Sequence, residues 1–499
     1  MGTKRFAIYV IYDKDGLLDP YREFFIESLR PYVTTICATI CGTLQKNEIL
    51  KLEKLVDEVY IRDNEGLLAT AWKDSIHKIG QKTLDNYDEL YLLNDSFFGP
   101  IYPISDFIDK SEKINADFYG IMRNYKDDSI NYIGDRYLNT TYQGTICYFY
   151  IIKKKLLSSK KFYEYWKKIP KINTDWDSIY YAEIYFYEYL QKNNFIIESY
   201  QSNELNGYFF DCLTHCSFKL IHDEKIPFVR IRSLGTDLKQ IRNYSNGDDP
   251  RKSITYISEK TTYDEKLIWN YLTRTKQLVD IYYQTNLDFI INELGKKPIT
   301  GPHLIVFFLT NPEYISSFLP VLFSFSNCIK VKIYTDDPNI QLQLSTINAT
   351  NVEILCLPTL NLSSIIEDCA NDISTHKYFG FFSDKYIKNS DYRISKDTLI
   401  TQCISNLVQN ESIIGEIESI FTNNSHIGAL FSETPLYGGH YINSLNLWQL
   451  NKESISAYFK DKNLTLDLCK PPIIVPANMF WIRSSLILQI IKDVKYFES

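Results

Sequence analysis

Three residues at the end of one apolar segment are of the types that bind divalent cations and phosphates. The segment DELYLLN (88–94) runs into Asp95 and Ser96, so that Asn94, Asp95 and Ser96 stand in a row. Carboxylate and amide oxygens are the hard ligands that Mg²⁺ and Mn²⁺ prefer, and such a cation neutralises a diphosphate leaving group. We therefore predict that Asn94 and Ser96 bind a nucleotide-sugar donor and that Asp95 is catalytic and holds the metal. The alternative is a strand-to-loop turn capped by Asp95.

A polar turn, DNEG (63–66), separates the short apolar segment EVYIR from an apparent helix. Where a parallel strand runs into a helix, the backbone N–H groups of the turn and the helix N-terminus attract anions. We predict that Asp63, Asn64 and Gly66 contact the donor diphosphate. Asp13, which follows the first apolar segment, is predicted to bind the donor as well. The alternative is a helix-opening turn with nothing bound.

Glu183 is the candidate general base. It lies near the start of an apparent helix, SIYYAEIYFYEYL, about ninety residues after Asp95. Glycosyl transfer to a hydroxyl needs a group that accepts the hydroxyl proton as the new bond forms. Apolar and aromatic neighbours would raise the pKa of a carboxyl toward that task. Competing interpretations are a surface glutamate, or a base supplied by Asp175, Asp177 or Glu188.

Alternating elements must position these residues. Apolar, β-branched segments at 5–12, 33–41, 58–62 and 88–94 alternate with segments of helical spacing. This alternation is typical of an α/β fold with a doubly wound, mostly parallel sheet. Ligands of such sheets bind at the carboxyl ends of the strands, which is where the candidate donor-binding residues follow.

The alternation stops and then restarts along the chain. Residues 246–300 read as helices, and from 301 strand and helix patterns alternate again. We therefore predict three parts: a Rossmann-like α/β domain at 1–245, a helical bridge at 246–300 and a second α/β domain at 301–499. The second domain resembles the first in rhythm but not in residues.

Order and spacing sharpen this interpretation into a resemblance. A turn (NEGLLATA), then Asn94–Ser96, then a late helix with Glu183 resembles the layout of GT-A nucleotide-sugar glycosyltransferases, with Asn94–Ser96 where those enzymes carry Asp-x-Asp. The segments RDNEGLLATAWKDSI, YDELYLLNDSFFGPIYP and YAEIYFYEYL are similar to those of the rhamnan synthesis protein F family, and NDSFFGP is the most specific of them. The family consists of bacterial polysaccharide rhamnosyltransferases, so the resemblance implies a GT-A-like fold.

The resemblance also implies a reaction. It is the inverting transfer of L-rhamnose from dTDP-L-rhamnose to a sugar hydroxyl of a growing, lipid-linked surface polysaccharide. Mg²⁺ or Mn²⁺ is an expected cofactor, although the departure from Asp-x-Asp leaves a metal-free reaction open. Two alternatives remain: a non-catalytic carbohydrate-binding or scaffold subunit of an assembly complex, and an active site in the second half.

Four residues of the second half are predicted to meet the acceptor. Asp384 and Lys385 follow the apolar segment KYFGFFS, and Trp481 and Arg483 lie in NMFWIRSSL, which resembles a Met-Phe-Trp-x-Arg segment of the family. A tryptophan ring can stack on a sugar, and an arginine can bind a phosphate. Because an Arg-Gly-Arg-Asp stretch of the family is absent here, we expect a degenerate, acceptor-positioning domain.

Charge and hydropathy restrict the partners. The net charge is −7 and the sequence pI is about 5.7, which argues against a nucleic-acid partner. No apolar run reaches the roughly 18 residues that span a bilayer, so a cytoplasmic protein is expected. Eight lysines within 153–171 alternate with aromatic residues. They favour peripheral contact with the inner face of the cell membrane, with a solvated helix face as the alternative.

Overall fold

A computed structural model describes most of the chain. The described residues are 2–124, 144–145, 148–201, 216–235, 249–285, 287, 289, 291, 297–322, 325–326, 328–347, 350–358, 360–385, 396–433, 452–462, 473 and 475–491. Contacts divide the chain into two compact units: Met1–Leu272 with Gln284–Asn286, and Thr273–Tyr283 with Leu287–Ser499. The segment predicted as a separate helical bridge is divided between these two units.

The first unit is built on an eight-stranded sheet. Its strand order is β3-β2-β1-β4-β8-β6-β7, with β9 paired to β6. β1 to β4 are parallel, β8 is antiparallel to β4, and β6 is antiparallel to β8. A two-stranded ribbon pairs β5 with β10. The strands are β1 Arg5–Ile11, β2 Thr35–Cys41, β3 Glu58–Arg62, β4 Glu89–Asn94, β5 Phe97–Phe98, β6 Phe118–Asn124, β7 Gly144–Thr145, β8 Phe149–Lys153, β9 Ile197–Gln201 and β10 Val229–Arg230.

Both faces of this sheet are covered, as the unbroken apolar strands require. Along β1, Ala7, Tyr9 and Ile11 belong to one core cluster. Phe6 and Ile8 of the same strand belong to the cluster on the other face. Because successive side chains of a strand point to opposite faces, only a strand that is apolar throughout can supply two cores. The predicted doubly wound sheet is therefore confirmed for this unit.

Helices of the first unit pack on the two faces. The helix α1 begins with Pro20 at its first position, where the missing N–H costs nothing, and it buries Phe25, Ile26 and Leu29. Within the described residues, the α-helices up to residue 284 are α1 Pro20–Leu29, α2 Lys46–Leu52, α3 Leu67–Ile79, α4 Gln81–Leu84, α5 Ile104–Lys113, α6 Lys154–Leu157, α7 Lys160–Lys168, α8 Asp175–Ile179, α9 Tyr185–Lys192, α10 Ser217–His222, α11 Ile231–Gly235, α12 Asp249–Lys260, α13 Lys266–Thr275 and α14 Leu278–Gln284.

The second unit repeats the strand order of the first. Its sheet runs β13-β12-β11-β14-β16-β15, which matches β3-β2-β1-β4-β8-β6 strand for strand. β16 is antiparallel to β14, and β15 is antiparallel to β16, as in the first sheet. The predicted second α/β domain is confirmed as a topological copy of the first. The strands are β11 His303–Phe308, β12 Ile329–Thr335, β13 Val352–Cys356, β14 Tyr378–Ser383, β15 Ala429–Phe431 and β16 Phe480–Arg483.

The second sheet is also buried on both faces. Ile305 and Phe307 of β11 belong to one core cluster, and Leu304 and Val306 to the other. Across the described parts of both units, no helix has the length and apolarity needed to cross a membrane. The helices of this unit are α15 Ile315–Leu322, α16 Pro338–Leu344, α17 Leu362–Asp368, α18 Ala370–Thr375, α19 Lys396–Leu407, α20 Glu411–Asn423, α21 Lys452–Asp461 and α22 Ser484–Ile491.

Candidate active site

Asp13 and Asp95 follow neighbouring parallel strands and are joined through one arginine. Asp95 follows β4 and Asp13 follows β1, and these strands pair in parallel up to Val10 and Asn94. Arg22 of α1 donates from Nε to Asp95 Oδ2 at 2.9 Å, and its Nη1 lies 3.5 Å from Asp13 Oδ2. The structure therefore brings these two sequence-predicted residues to one place at the carboxyl edge of the sheet.

Arg22 is the centre of a larger buried network. Its side chain is 2% exposed. Nη1 also bonds Asp19 Oδ2 at 2.8 Å and the Leu17 carbonyl at 3.2 Å, and Nη2 bonds the Tyr12 carbonyl at 3.0 Å. One guanidinium thus organises the loop after β1 and the end of β4. A buried charge is stable only when its partners are all in place, so this network fixes the backbone around Asp95.

Arg22 was not among the residues predicted from the sequence. The signal was present, because Arg22, Phe25, Ile26 and Leu29 share the buried face of α1 at spacings of three and four. A cation on an otherwise apolar helix face must find buried anions, and this should have marked Arg22 as part of a site.

Asp95 combines burial with a close cation. Burial raises the pKa of the Asp95 carboxyl, and the nearby Arg22 guanidinium opposes that effect. Asp95 Oδ2 also accepts the Tyr12 N–H at 3.1 Å, and the Asp95 carbonyl accepts the Tyr21 hydroxyl at 2.9 Å. The side chain is still 15% exposed. It is therefore held in one orientation at the surface of the site.

Asn94 and Ser96 form a local turn around Asp95. The Asn94 Oδ1 atom accepts the Ser96 N–H at 3.1 Å and the Ser96 hydroxyl at 2.8 Å. Asn94 is buried, whereas Asp95 and Ser96 are half-buried. The amide of Asn94 shapes the turn, and direct donor binding by Asn94 and Ser96 stays a prediction.

The turn at 63–66 opens α3, as predicted. Asp63 and Asn64 are exposed, and Gly66 has a φ of +70°. A Cβ atom at Gly66 would lie 2.2 Å from Thr70 Oγ1. This position requires glycine both for its left-handed backbone and for the close approach of Thr70.

The N-terminus of α3 offers polar groups without protein partners. Within the described residues, the backbone N–H groups of Leu67 and Leu68 have no acceptor, and the buried Thr70 Oγ1 atom has no hydrogen-bond partner. The Leu67 and Leu68 side chains pack against the core of the unit. Their apolar character therefore serves packing, and the helix begins just after the carboxyl end of β3, so that the positive end of its dipole lies there.

Glu183 lies in an unusual turn of its helix. Between α8 and α9, residues Tyr180–Ile184 form a π-helical turn, a feature that is frequent at functional sites. Glu183 is half-buried. The turn contacts α3 and β7. The structure thus places the predicted base beside the elements that border the carboxyl edge of the sheet.

One hydrogen bond connects the helix of Glu183 to the turn at Gly66. The Ala69 N–H in the first turn of α3 donates to Ser178 Oγ at 3.2 Å. Ser178 precedes the π-turn by two residues. The first turn of α3 and the start of the π-turn are therefore fixed relative to each other.

The competing base candidates have other positions. Asp177 completes a capping box with Thr174: its N–H donates to Thr174 Oγ1, and its Oδ2 accepts the Thr174 N–H, both at 3.1 Å. Asp175 and Glu188 are exposed. Of the four carboxylates, Glu183 alone lies in the π-turn, so it remains the predicted base.

The second unit has an aspartate at the position equivalent to Asp95. Asp384 directly follows β14, as Asp95 follows β4. Asp384 Oδ1 accepts the Thr310 N–H at 2.8 Å and the Thr310 hydroxyl at 2.9 Å, and Oδ2 accepts the Asn311 N–H at 2.9 Å. Burial raises the pKa of the Asp384 carboxyl. No arginine contacts it among the described residues, so its charge is balanced by polar donors only.

Two of the predicted acceptor residues have structural roles. Trp481 is fully buried, and its Nε1–H donates to the Leu407 carbonyl at 2.8 Å, so its ring cannot stack on a sugar. Arg483 bonds the carbonyls of Ile427, Phe421 and Asn424 at 2.8, 2.6 and 3.0 Å. Its guanidinium thus holds the end of α20. The prediction for Trp481 was wrong, because the sequence did not reveal its burial in β16, whereas acceptor binding by the half-buried Arg483 stays a prediction.

Lys385 and Asp384 stay predicted acceptor residues. The Lys385 side chain is 36% exposed, and its Nζ donates to the Leu360 carbonyl at 2.6 Å.

The model of the family described as "Rhamnan synthesis protein F" matches residues 35–497. The chain belongs to the rhamnan synthesis protein F family. The resemblance seen in NDSFFGP and its neighbouring segments is therefore confirmed, and the match covers the first copy from β2 onward and nearly all of the second.

A curated relative of this family member is "Uncharacterized protein y4gN" from Sinorhizobium fredii (strain NBRC 101917 / NGR234). It is 25% identical over 198 residues, which are 40% of this chain and 49% of that protein. The chain thus spans about half the length of the curated relative that it matches.

Solved structures give distant matches. The glycosyltransferase GlyE from Streptococcus pneumoniae TIGR4 is 12% identical, with 75% of this chain and 84% of that chain covered and a TM-score of 0.26. The 4-diphosphocytidyl-2C-methyl-D-erythritol synthase from Anaerococcus prevotii DSM 20548 is 14% identical, with 40% and 86% covered and a TM-score of 0.26. At these scores the matches add nothing to the strand order already described.

Proposed function

We propose that this protein is a glycosyltransferase that moves L-rhamnose from dTDP-L-rhamnose to a sugar hydroxyl of a growing bacterial surface polysaccharide. Membership of the rhamnan synthesis family supports the reaction class and the sugar. The single observation that carries the proposal is the hydrogen bond between the Ala69 N–H and Ser178 Oγ. It couples the predicted phosphate-binding turn to the helix of the predicted base, and both groups must act at the same anomeric carbon.

Glu183 is the proposed base. It takes the proton of the acceptor hydroxyl as that oxygen forms a bond to the anomeric carbon. The bond between this carbon and the donor diphosphate breaks at the same time, so the configuration inverts and a β-linked donor gives an α-linked product. The π-turn holds Glu183 half-buried.

The turn at 63–66 and α3 are the proposed site of the leaving diphosphate. The unpartnered N–H groups of Leu67 and Leu68 and the positive end of the helix dipole favour a negative charge there. Asp63, Asn64 and Gly66 line this turn, and Asp13 with Asn94–Ser96 forms the neighbouring part of the donor site. The Arg22 network keeps Asp13 and Asp95 in fixed positions while charge develops on the donor.

A divalent cation is proposed to arrive with the donor. Among the described residues, no three His, Cys, Asp or Glu side chains are arranged to hold a metal ion. Asp95 Oδ2 is used by Tyr12 and Arg22, which leaves Oδ1 as the oxygen for a cation. One carboxylate together with substrate phosphates is a usual way of holding Mg²⁺, so the residues fit a metal that depends on the nucleotide. Bound there, the cation would offset the charge of the diphosphate.

Contact with a lipid-linked acceptor at the inner face of the membrane is part of the proposal. Within the lysine-rich segment, Lys153 pairs with Glu89, and Lys155 pairs with Asp117. Four other lysines have no ion-pair or hydrogen-bond partner among the described residues and support contact with anionic lipids. They are Lys160, Lys167, Lys168 and Lys171.

The test combines binding with turnover. Thermal shift with a panel of nucleotide sugars, with and without Mn²⁺, should show selective stabilisation by dTDP-L-rhamnose, because only the folded state binds the donor. Glu183→Gln should keep donor binding and lose transfer by a factor of at least about 10². Glu188→Gln, an exposed residue on the next turn of the same helix, is the matched control and should stay active.

The outcomes separate the alternatives. Stabilisation by the donor that is equal with and without Mn²⁺ would remove the metal from the proposal. Full transfer by Glu183→Gln would remove the base. Wild-type protein that binds sugars but neither binds nor hydrolyses any nucleotide sugar would favour the non-catalytic carbohydrate-binding subunit.

A further inference from the structure

A cavity on the first unit is lined by tyrosine rings and is not used by the proposed reaction. Its volume is about 330 Å³, and it lies between the end of α7 and the helix that continues through the π-turn into α9. This size is at the lower end of the range for small-ligand sites. Its aromatic lining consists of Tyr165, Tyr180, Tyr181, Tyr185 and Tyr189.

The π-turn creates the tyrosine face. Tyr180 and Tyr185 are five residues apart and stack with ring centroids at 5.9 Å and an interplanar angle of 14°. In a regular α-helix, residues i and i+5 point about 140° apart. The wider π-turn brings them into line, and Tyr181 then meets Tyr185 edge to face at 5.8 Å. The same turn therefore positions both Glu183 and this aromatic surface.

The rear of the cavity is rigid. The Tyr165 hydroxyl bonds the Tyr181 carbonyl, and the Tyr189 hydroxyl bonds the Lys161 carbonyl at 3.0 Å. Tyr165 is buried, and its ring lies 4.9 Å from that of Tyr189. These two rings are held by their hydroxyl groups, so the floor of the cavity is formed before any ligand arrives.

The rim carries groups that can still form bonds. The hydroxyl groups of Tyr181 and Tyr185, and the ammonium group of Lys168, have no hydrogen-bond or ion-pair partner among the described residues. Tyr185 is 40% exposed. A tyrosine offers an apolar ring face and one polar tip, so the rim presents flat apolar surfaces edged with hydroxyl donors.

We infer that this tyrosine cavity binds a pyranose ring of the glycan acceptor, at a distance along the chain from the sugar that reacts. A pyranose has an apolar face of C–H groups and a rim of hydroxyl groups, which match ring faces and free phenol groups respectively. Lys168 adds a donor for ring oxygens or for an anionic substituent. The inference rests on the proposed function, because only a glycan-extending enzyme needs to hold the chain beyond its reacting end.

The experiment uses the full chain and simple probes. Saturation-transfer NMR with methyl α-L-rhamnopyranoside and with a rhamnose trisaccharide should show transfer to C–H protons in the wild type. Tyr185→Ala should weaken trisaccharide binding by about five-fold, the scale of one lost aromatic contact, whereas Tyr185→Phe should retain most of it. Tyr458→Ala, a half-exposed tyrosine of α21, is the matched control and should leave binding unchanged.

The readouts separate this inference from the proposed function. Thermal stabilisation by dTDP-L-rhamnose should be the same in Tyr185→Ala and the wild type. In Tyr185→Ala the KM for a long acceptor should rise, and kcat should be unchanged. Unchanged saccharide binding in Tyr185→Ala, with intact donor binding, overturns the cavity assignment alone. Saturation transfer to thymidine, but not to the saccharides, that is lost in Tyr185→Ala also overturns the cavity assignment. An absence of donor binding in the wild type overturns the proposed function instead.

Discussion

Replacing Arg22 with methionine tests whether one buried cation organises the edge of the first sheet. The guanidinium is 2% exposed and bonds carboxylates of Asp19 and Asp95 at 2.8 and 2.9 Å. Methionine preserves much of the side-chain volume but removes the charge. The carboxylates then remain in a poorly solvated site without their cation. Removing one partner of a buried ion pair costs about 3–5 kcal/mol.

That loss is a large fraction of the stability of a folded domain, which is about 5–15 kcal/mol. With a urea dependence of about 1–3 kcal/mol per molar, the midpoint of unfolding should fall by at least about 1 M. The control is Arg30→Met. The Arg30 side chain is 42% exposed and pairs with Asp57, so its loss should cost no more than about 1 kcal/mol.

The stability lost in Arg22→Met should also depend on pH. Burial already raises the pKa of Asp95 while Arg22 opposes this rise, so removing Arg22 raises the pKa further. A carboxyl with a raised pKa binds more protons in the folded state, and stability then falls as the pH rises. The difference in unfolding free energy between wild type and Arg22→Met should therefore shrink as the pH is lowered from 8 to 5.

Urea titrations of the three proteins, followed by circular dichroism at pH 5, 6.5 and 8, measure both quantities. An Arg22→Met protein that loses no more stability than Arg30→Met, with a loss that does not depend on pH, would refute the role given to the network.

Three further predictions concern other parts of the molecule. Gly66→Ala should destabilise the protein by about 1–2 kcal/mol because of the left-handed backbone, and the clash with Thr70 should add to this cost. Urea titration should show a smaller loss of stability for Gly80→Ala, where φ is +80° but no atom lies within 4 Å of an added Cβ. The double variant Gly66→Ala/Thr70→Ala should recover part of the lost stability. Asp384→Asn should lower stability by about 1–3 kcal/mol, because an amide has one oxygen and cannot accept from both Asn311 and Thr310. Donor binding, measured by thermal shift, should be unchanged in this variant. Lost donor binding would instead favour an active site in the second half. Trp481→Ala should lower stability by about 3–5 kcal/mol. Transfer assays on the folded fraction should show an unchanged KM for the acceptor, whereas a ring that stacks on the acceptor would raise this KM when removed.

The main strands and helices and their order along the chain could be predicted from the sequence. Short apolar, β-branched segments, as in β1 and β11, are typical of strands buried on both faces, and polar turns such as 63–66 separate the strands from the helices. Because parallel strands end at one edge, the placement of Asp13 and Asp95 at the same edge of the sheet also followed from the sequence, whereas the pairing of β1 with β4 is seen only in the structure. Residues NDSFFGP were specific enough to indicate the family by their order alone.

Which polar residues keep atoms available for a ligand depends on long-range contacts that only the folded chain shows. Trp481 and Arg483 have the right chemistry for an acceptor, but the pairing of β16 with β14 buries the first and gives the second three carbonyl partners. The position of Arg22 on the apolar face of α1 indicates buried partners, but only the fold shows that these partners are Asp13, Asp19 and Asp95. These outcomes depend on contacts between residues far apart in the chain, and local sequence patterns carry no information about such partners.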